Sequence, residues 1–263
     1  MLIDTHCHLD AAELGGQGAQ LAHAARQQGV AAVVIPAVCR DNFNQVASLG
    51  QYGGYALGIH PLYVPDAEEA DLELLRVAVE AAMQDRHFVA IGEIGLDFFV
   101  PELCTPAMRD KQIYFYREQL KIAQKYNLPV LLHVRHSVDQ ILKGLRQITV
   151  PTGIAHAFNG SEQQAGMLIQ LGFKLGFGGA MTYTRALQIR RLATSLPLSS
   201  IVLETDTPDI PPSWLTDAPN TPAQLARIAE ILGELRQLPV SEIASVTTAN
   251  AYNALPRLAV AMA

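Results

Sequence analysis

Several features that define other protein classes are missing from this sequence. The chain of 263 residues has only three cysteines, and none of them lies in a CxxC spacing. It has no block of five or six basic residues, and 19 Lys+Arg against 25 Asp+Glu give a net charge of −6. The cysteine usage fits a reducing compartment better than a disulfide framework. The charge does not indicate a nucleic-acid binder, although bound metal ions could supply local positive charge.

Membrane and export signals are missing as well. No apolar run reaches the roughly 18 residues of a membrane-spanning helix. The first apolar residues are interrupted at once by the polar cluster 4–8, which is unlike a secretory signal. Heptads and an exposed apolar stripe are also lacking. We therefore expect a cytoplasmic protein with no membrane partner and no obligate protein partner.

What the sequence does contain is a regular alternation of short apolar runs with longer helical patterns. The predicted strands are Leu2–His6, Ala31–Val38, Tyr55–His60, His87–Ile94, Pro129–Val134, Gly153–Ala157, Phe173–Phe177 and Ile201–Glu204. The predicted helices are Gln17–Gln28, Asn42–Leu49, Glu68–Asp85, Pro106–Tyr126, Val138–Gln147, Glu162–Leu171, Arg185–Thr194, Pro222–Leu235 and Val240–Leu255. Eight βα units in a chain of this length predict an α/β fold, a (β/α)8 TIM barrel of one domain over residues 1–263.

Ionisable side chains stand near the ends of six predicted strands. They are His6 and His8, His60, Glu93, His133, His156, and Glu204 with Asp206. Active sites of TIM barrels lie at the carboxyl ends of the strands, so these side chains are expected to meet at the barrel mouth. Because alternate residues of a strand share a face, His6 and His8 can both point inward, while Cys7 points away. Glu204 and Asp206 share a face for the same reason.

Converging imidazoles and carboxylates are typical of a site for a borderline divalent metal. Two metals about 3.5–4 Å apart, bridged by one carboxylate, would use the whole set. The predicted metal ligands are His6, His8, Glu93, His133, His156 and Asp206.

Structural readings compete with this interpretation for each residue taken alone. An HxH pair fits a local structural feature as well as a metal site, and spacing alone favours a structural role for His60. The same applies more strongly to His23, His87 and His136. The set as a whole favours the metal site, because burying so many polar groups without partners is costly.

Six short motifs then match a known family in the same order along the chain. They are DTHCHLD at 4–10, GIHP at 58–61, IGEIGLD at 91–97, LLHVR at 131–135, HAFNGS at 156–161 and ETDTP at 204–208. With these motifs the chain resembles the TatD family of metal-dependent hydrolases and deoxyribonucleases, in the amidohydrolase-like barrel superfamily. The resemblance runs from residue 3 to about residue 225 and implies hydrolysis at a two-metal site.

The resemblance also implies roles for individual residues. One metal would be held by His6, His8, Glu93 and Asp206, and the other by the bridging Glu93 with His133 and His156. His60 matches a family histidine that contacts substrate phosphate, and Asp206 matches the carboxylate that orients or deprotonates the attacking water. This makes Asp206, Glu93 and His60 the predicted catalytic residues. His60, Arg135, Asp97 and Glu204 are the predicted substrate-binding or positioning residues.

Two departures from the family pattern lie outside the predicted ligands. An Arg/Lys-Asn-Glu-Pro stretch that is common in the family reads Pro219-Asn220-Thr221-Pro222 here, so its basic and acidic residues are missing. The sixth-strand motif has Ala157 and Asn159 where the family often has Cys and Ser. The departures leave the predicted metal site intact and bear on the choice of substrate.

The leading prediction is a phosphodiesterase or deoxyribonuclease that acts on DNA with two divalent ions, which could be Zn, Mn, Mg, Ni or Co. A hydrolase of a small phosphoester, amide or lactone is the first alternative. The acidic composition favours it mildly, whereas Glu93 in strand 4, where many amidohydrolases carry a carboxylated lysine, favours the nuclease. The second alternative is a metal-bound binding module without turnover.

Overall fold

The computed structural model describes residues 1–216 and 218–263 and contains one parallel sheet of eight strands in sequential order. The strands in the described residues are β1 (Leu2–Asp4), β2 (Val30–Pro36), β3 (Gly53–Leu57), β4 (Phe88–Asp97), β5 (Val130–Arg135), β6 (Gly153–Ala155), β7 (Phe173–Phe177) and β8 (Ile201–Leu203). The last strand returns to the first, because the amide of Thr5 donates to the carbonyl of Leu203 at 3.0 Å. The predicted TIM barrel is confirmed.

Helices surround the barrel and cover the outer face of the sheet. In the described residues they are α1 (Gly18–Gln27), α2 (Phe43–Leu49), α3 (Glu69–Ala82), α4 (Pro106–Tyr126), α5 (Val138–Gln147), α6 (Glu162–Gln170), α7 (Leu187–Ser195), α8 (Leu225–Arg236), α9 (Val240–Ala254) and α10 (Pro256–Ala261). The sequence pattern did not predict α10. Within the described residues, no helix combines the length and the apolarity that crossing a bilayer requires.

Two apolar layers hold the barrel together. One lies between the strands and the surrounding helices and includes Ile91, Ile94 and Leu132. The other fills the barrel interior with small and branched residues such as Val34 and Leu131, as the narrow core of an eight-stranded barrel requires.

The carboxyl-terminal helices α9 and α10 close the amino-terminal end of the barrel. Leu255 and Leu258 are fully buried in the same cluster as the interior residues. Arg257 donates to the carbonyls of Met83, Asp85 and Phe88, around the start of β4. We call this end, formed by α9, α10 and the interior cluster, the floor.

A bulge in β4 determines where its carboxyl half points. Ile91 pairs with Val130 and Ile94 pairs with Leu132, so three steps along β4 match two along β5. Both isoleucines pack toward the helices, which leaves Glu93 on the interior side. Bulges of this kind redirect side chains beside active sites. The amide of Glu93 leaves the β5 ladder and donates to the carbonyl of Ala37 at 2.8 Å.

Several predicted strand boundaries were wrong. Strands β1, β3, β6 and β8 end before the polar residues that were assigned to them, whereas β4 continues to Asp97. Only Glu93, Asp97, His133 and Arg135 among the predicted site residues therefore lie within strands. His6 and His8 follow β1, which ends at Asp4, although the amide of Cys7 still donates to the carbonyl of Val34 in β2 at 3.0 Å.

Candidate metal centre

The carboxylate of Glu93 is the centre of the polar cluster. Its Oε2 atom lies 3.0 Å from His6 Nε2 and 3.5 Å from His8 Nε2. Its Oε1 atom lies 3.0 Å from His133 Nδ1, 3.0 Å from His156 Nε2 and 3.3 Å from His60 Nε2. The side chain is buried. Each oxygen of one carboxylate thus faces its own set of imidazoles.

Asp206 lies beside this cluster on the loop after β8. Its Oδ1 atom is 3.8 Å from His6 Nε2, 3.9 Å from His8 Nε2 and 4.0 Å from His156 Nδ1. Its backbone has φ 54°, in the left-handed region that non-glycine residues seldom adopt. Such strained conformations cluster at functional sites, where the surrounding structure holds them in place. Here the amide of Asp206 donates to the carbonyl of His6 at 2.9 Å.

The donor set fits divalent cations. His6 Nε2 faces His8 Nε2 at 3.3 Å, and His60 Nε2 faces His133 Nδ1 at 3.0 Å. Nitrogen pairs at such distances, all directed at one carboxylate, suit a cation between them. Three groups of possible ligand atoms each lie within 4.8 Å of one another. They are His6 with His156 and Asp206, His6 with His8 and Glu93, and His60 with Glu93 and His133.

The structure therefore brings together all six predicted ligands and adds His60. Spacing alone favoured a structural role for His60, but it approaches Glu93 as closely as the other histidines do. Cys7, by contrast, is fully buried in the apolar layer next to the helices and belongs to none of the three ligand groups.

Burial and mutual charge set the protonation of this cluster. Burial would raise the pKa of Glu93, but the surrounding imidazoles, led by His60, His156 and His6, hold it well below its usual value. Burial and the charge of His156 lower the pKa of His6 to about 3. Burial also acts to lower the pKa of His8, but the hydrogen bond and charge of Glu93 outweigh it and raise that pKa to about 9. An ionised carboxylate at the centre is the form that binds cations.

Asp206 and His60 are two further buried groups whose charged forms are disfavoured. Burial raises the pKa of Asp206 to about 7, against the opposing charges of His156 and His8. Burial lowers the pKa of His60 to about 4, although Glu93 opposes the change. A carboxyl group with a raised pKa is suited to exchanging a proton near neutral pH.

Asp97 supports the cluster from one side. Its Oδ2 atom is 3.0 Å from His133 Nε2, so this carboxylate orients the ring whose Nδ1 faces Glu93. The amides of Phe99 and Val100 donate to Asp97 Oδ1 at 2.8 and 3.0 Å. Burial opposes ionisation, but His133 and these amides lower the pKa of Asp97 to about 2. A carboxylate behind an imidazole is a common way of fixing a metal-binding histidine.

Glu204 lies beneath His156. It accepts a hydrogen bond from the amide of Ala157 at 2.5 Å, and its Oε1 is 3.7 Å from His156 Nδ1. It is buried against Gly176 of β7, where an added Cβ would come within 2.1 Å of the carboxylate. Glu204 is therefore placed to position His156. The missing side chain at Gly176 leaves room for the Glu204 carboxylate.

The sequence pattern missed Asp4, which joins the two ends of the barrel seam. This fully buried carboxylate accepts hydrogen bonds from the Thr205 amide at 3.0 Å, the Thr205 hydroxyl at 2.6 Å and the His6 amide at 3.3 Å. It thereby fixes the loop that carries Asp206 against the loop that carries His6. The sequence signal for a role of Asp4 was its position two residues before His6, the first histidine of the HxH pair.

Asn220 is the residue that the altered Pro-Asn-Thr-Pro stretch retains from the family pattern. It is buried and donates to the carbonyls of Thr205 and Asp209 at 2.8 and 2.6 Å. It therefore holds the loop around Asp206 in shape and does not reach the ligand groups.

A cavity of about 1070 Å³ opens over the cluster, and Glu93 and Asp206 are among the residues that line it. Arg135, Phe99 and His136 line it on the side of β4 and β5, and Asp10, Glu13 and Asp209 line it elsewhere. His136, which spacing assigned a structural role, thus lies at the rim. His23 and His87 contact backbone carbonyls away from the cavity, of Ala19 and Gly53 respectively.

Comparison with known proteins decides the family. The model of the family described as TatD related DNase matches residues 3–256. The chain belongs to the TatD family. An Escherichia coli K12 relative, the metal-dependent hydrolase YjjV, is 40% identical over 256 residues, which cover 95% of this chain and 96% of the relative. TATDN3 of Mus musculus, named a candidate deoxyribonuclease, is 31% identical over 98% of this chain and 89% of its own.

Solved structures of TatD proteins share this barrel. The crystal structure of the E. coli YjjV protein aligns with a TM-score of 0.90 at 39% identity and covers 97% of this chain and 98% of that one. A TatD family hydrolase from Entamoeba histolytica aligns with a TM-score of 0.82 at 20% identity, which shows the shared fold. The chain is a metal-dependent hydrolase of the TatD family, and its clustered ligands match that description.

Proposed function

We propose that this TatD protein hydrolyses phosphodiester bonds of DNA with two divalent metal ions. One observation carries the proposal: the two oxygens of Glu93 face separate sets of histidines, at 3.0–3.5 Å. A carboxylate placed in this way can bridge two cations. The family description and the name of the mouse relative support DNA as the substrate.

We assign one ion to His6, His8, Glu93 and Asp206, and the other to Glu93, His133 and His156. His156 Nδ1 lies about as far from Asp206 as His6 and His8 do, so the Asp206 carboxylate lies within reach of both sets. Asp97 and Glu204 would orient His133 and His156 from outside. Imidazole ligands favour Zn, Mn, Ni or Co, whereas phosphodiester substrates are often handled with Mg.

Bound divalent ions would supply Lewis acidity for the phosphoryl oxygens and lower the pKa of water. Asp206 would orient the attacking water and accept its proton, because its carboxylate lines the cavity next to the ligand atoms. His60 would donate a hydrogen bond to a phosphoryl oxygen from its position at the cavity wall. Glu93 would hold its negative charge throughout, since its surrounding imidazoles stabilise the ionised form.

A small phosphoester is the second candidate substrate. Arg135 is the single Arg or Lys that lines the cavity in the described part of the chain, whereas Asp10, Glu13, Asp41 and Asp209 also line it. A polyanion that lay across the whole mouth would meet these carboxylates. The cavity favours either a small substrate or DNA bound through few phosphates, and such binding would depend weakly on salt.

A combined metal and substrate test examines the proposal. Protein purified without chelators is analysed for metals, and then assayed with Mg²⁺, Mn²⁺ or Zn²⁺ on single-stranded DNA, amides, lactones and small phosphoesters. We expect about two ions per chain and cleavage of DNA that Asp206→Asn reduces by at least about a hundredfold. Cleavage of small phosphoesters alone would support the second candidate. Equal inactivity of wild type and Asp206→Asn on every substrate would instead favour a binding module without turnover.

We also propose a cytoplasmic location. Cys7, Cys39 and Cys104 are all unpaired in the structure, as thiols in a reducing compartment are. Fractionation of the native host, followed by immunodetection of the untagged protein, tests this location.

A further inference from the structure

Negatively and positively charged side chains lie on opposite sides of the cavity mouth. Asp10 and Glu13 follow β1 and Asp209 follows β8, which adjoins β1 in the closed barrel. Asp41 follows β2 on the same side, but it pairs with Arg40 at 3.2 Å. Because the strands run in sequential order, β4 and β5 lie across the barrel from this acidic half.

The opposite half carries a cation on an aromatic support. The guanidinium of Arg135 lies 3.9 Å from the centre of the Phe99 ring, and the His136 ring meets Phe99 edge to face at 5.0 Å. Phe99 is 50% exposed, so it is not part of the core. A planar guanidinium packed on an aromatic ring keeps its edge available for hydrogen bonds.

The guanidinium N–H groups of Arg135 are also available to a ligand. Its closest carboxylate is Asp97, at 3.8 Å from Nη1, beyond hydrogen-bond distance. Asp97 is itself occupied by His133 and by two backbone amides. Among residues 1–216 and 218–263, the Arg135 side chain donates no hydrogen bond. A half-exposed guanidinium of this kind can bind a phosphate through two parallel hydrogen bonds.

We propose that Arg135, supported by Phe99 and His136, is a subsite for a second phosphate of the substrate, next to the phosphate that is hydrolysed. The inference rests on the proposed phosphodiesterase function and names the part of the substrate that this site would recognise. The contact path from the subsite to the metal centre is short, since Arg135 approaches Asp97 and Asp97 orients His133. A neighbouring phosphate would be repelled on the acidic half of the mouth and attracted on this half.

A binding comparison tests the subsite without relying on turnover. Thymidine 5′-monophosphate and thymidine 3′,5′-bisphosphate are titrated calorimetrically into the manganese-loaded full chain, and chromatography checks that both ligands stay intact. The wild type is expected to bind the bisphosphate more tightly. Arg135→Ala should weaken bisphosphate binding roughly ten- to hundredfold and change monophosphate binding by less than about twofold.

Further variants separate charge, geometry and folding. Arg135→Lys keeps the charge but loses the planar fork, so we expect an intermediate loss for the bisphosphate. Phe99→Leu removes the support and should weaken the bisphosphate several-fold. Arg185→Ala is the matched control, because Arg185 also packs on an aromatic ring, that of the partly exposed Tyr183, but does not line the cavity. It should change neither affinity by more than about twofold.

The outcomes distinguish the two levels of the proposal. If Arg135→Ala weakens both ligands equally, or weakens neither while its thermal unfolding matches the wild type, the second-phosphate subsite is overturned. If DNA and small phosphodiesters resist hydrolysis while the bisphosphate preference persists and depends on Arg135, the proposed activity is overturned but the subsite stands.

Discussion

The two ends of the barrel differ in the polarity of the side chains that they bury. At the mouth, buried histidines and carboxylates face one another at 3.0–4.0 Å, and Ala157 and Asp206 have positive φ angles. At the floor, the interior cluster and α10 are apolar, and Arg257 satisfies three carbonyls. Only a few residues of strand separate the polar mouth from the apolar floor.

This difference separates stability from chemistry. Apolar burial at the floor stabilises the fold without ligands, whereas the mouth buries polar groups whose favourable partners include cations. We therefore expect changes at the floor to alter mainly the free energy of unfolding, and changes at the mouth to alter mainly metal binding and activity. The following predictions are ordered by expected effect.

Replacing the central carboxylate should have the largest effect. Glu93→Gln keeps the size of the side chain but removes the charge that both histidine sets face. We expect bound metal to be lost and activity to fall by about 10⁴-fold, the order seen when a central catalytic group is removed. Metal analysis and initial rates measure this. Glu242→Gln on the exposed surface of α9 is the matched control, and retention of both ions by Glu93→Gln would contradict the bridging role.

A substitution at the floor should lower the stability of the fold and leave metal binding unchanged. Leu131→Ala removes a fully buried interior side chain and should lower the free energy of unfolding by about 2–5 kcal/mol. The folded fraction should keep its metal content and its rate per folded molecule. Chemical denaturation and metal analysis test both parts. Leu74→Ala, at a position 50% exposed on α3, should change stability by less than about 0.5 kcal/mol. Loss of metal from folded Leu131→Ala protein would show that floor and mouth are coupled.

Metal removal should loosen the mouth and leave the floor intact. A ligand at a hundred times its Kd stabilises the folded state by about 2.7 kcal/mol, which corresponds to roughly 5–10 °C in Tm for a protein of this size. Chelation should therefore lower Tm by about that amount. Hydrogen exchange should increase at the loops that carry His6 and Asp206 and stay unchanged around Leu258. A uniform increase over both ends would argue against the division.

The smallest effect should come from the support behind His133. Asp97→Asn can still accept the two backbone hydrogen bonds but loses the charge that orients the imidazole. We expect a 10- to 100-fold loss of metal affinity, as is typical for such partners. Competition with a chromogenic chelator measures it. Asp110→Asn on the exposed face of α4 is the control, and an unchanged affinity in Asp97→Asn would make Asp97 a purely structural residue.

Strand number and helix order could be read from the sequence because each βα unit has its own apolar pattern. The ends of the strands could not, since His6, His60 and Asp206 continue apolar runs in sequence but follow them as loops in space. The bulge in β4 was also hidden, because only the pairing with β5 reveals the extra residue. α10 was missed, since its six residues are too few to display a helical period.

The residues of the candidate site could be predicted from the sequence as a group, but most of their arrangement in space could not. Imidazoles and carboxylates near six strand ends indicated a shared centre. Spacing could not show that His60 reaches Glu93, that Asp4 ties His6 to Thr205, or that charge is divided across the mouth. Those properties depend on which loops face each other around a closed barrel.

The β4 bulge also sets an angle. Between their two paired positions, β4 has one residue more than β5. If Gly92 were deleted, Ile91 and Ile94 could keep their partners Val130 and Leu132, and the later side chains of β4 would keep their facing. The local bend and the extra twist that a bulge gives a strand would be lost beside Glu93. One extra residue thus sets the direction in which the carboxylate leaves the sheet toward the imidazoles of two separate loops.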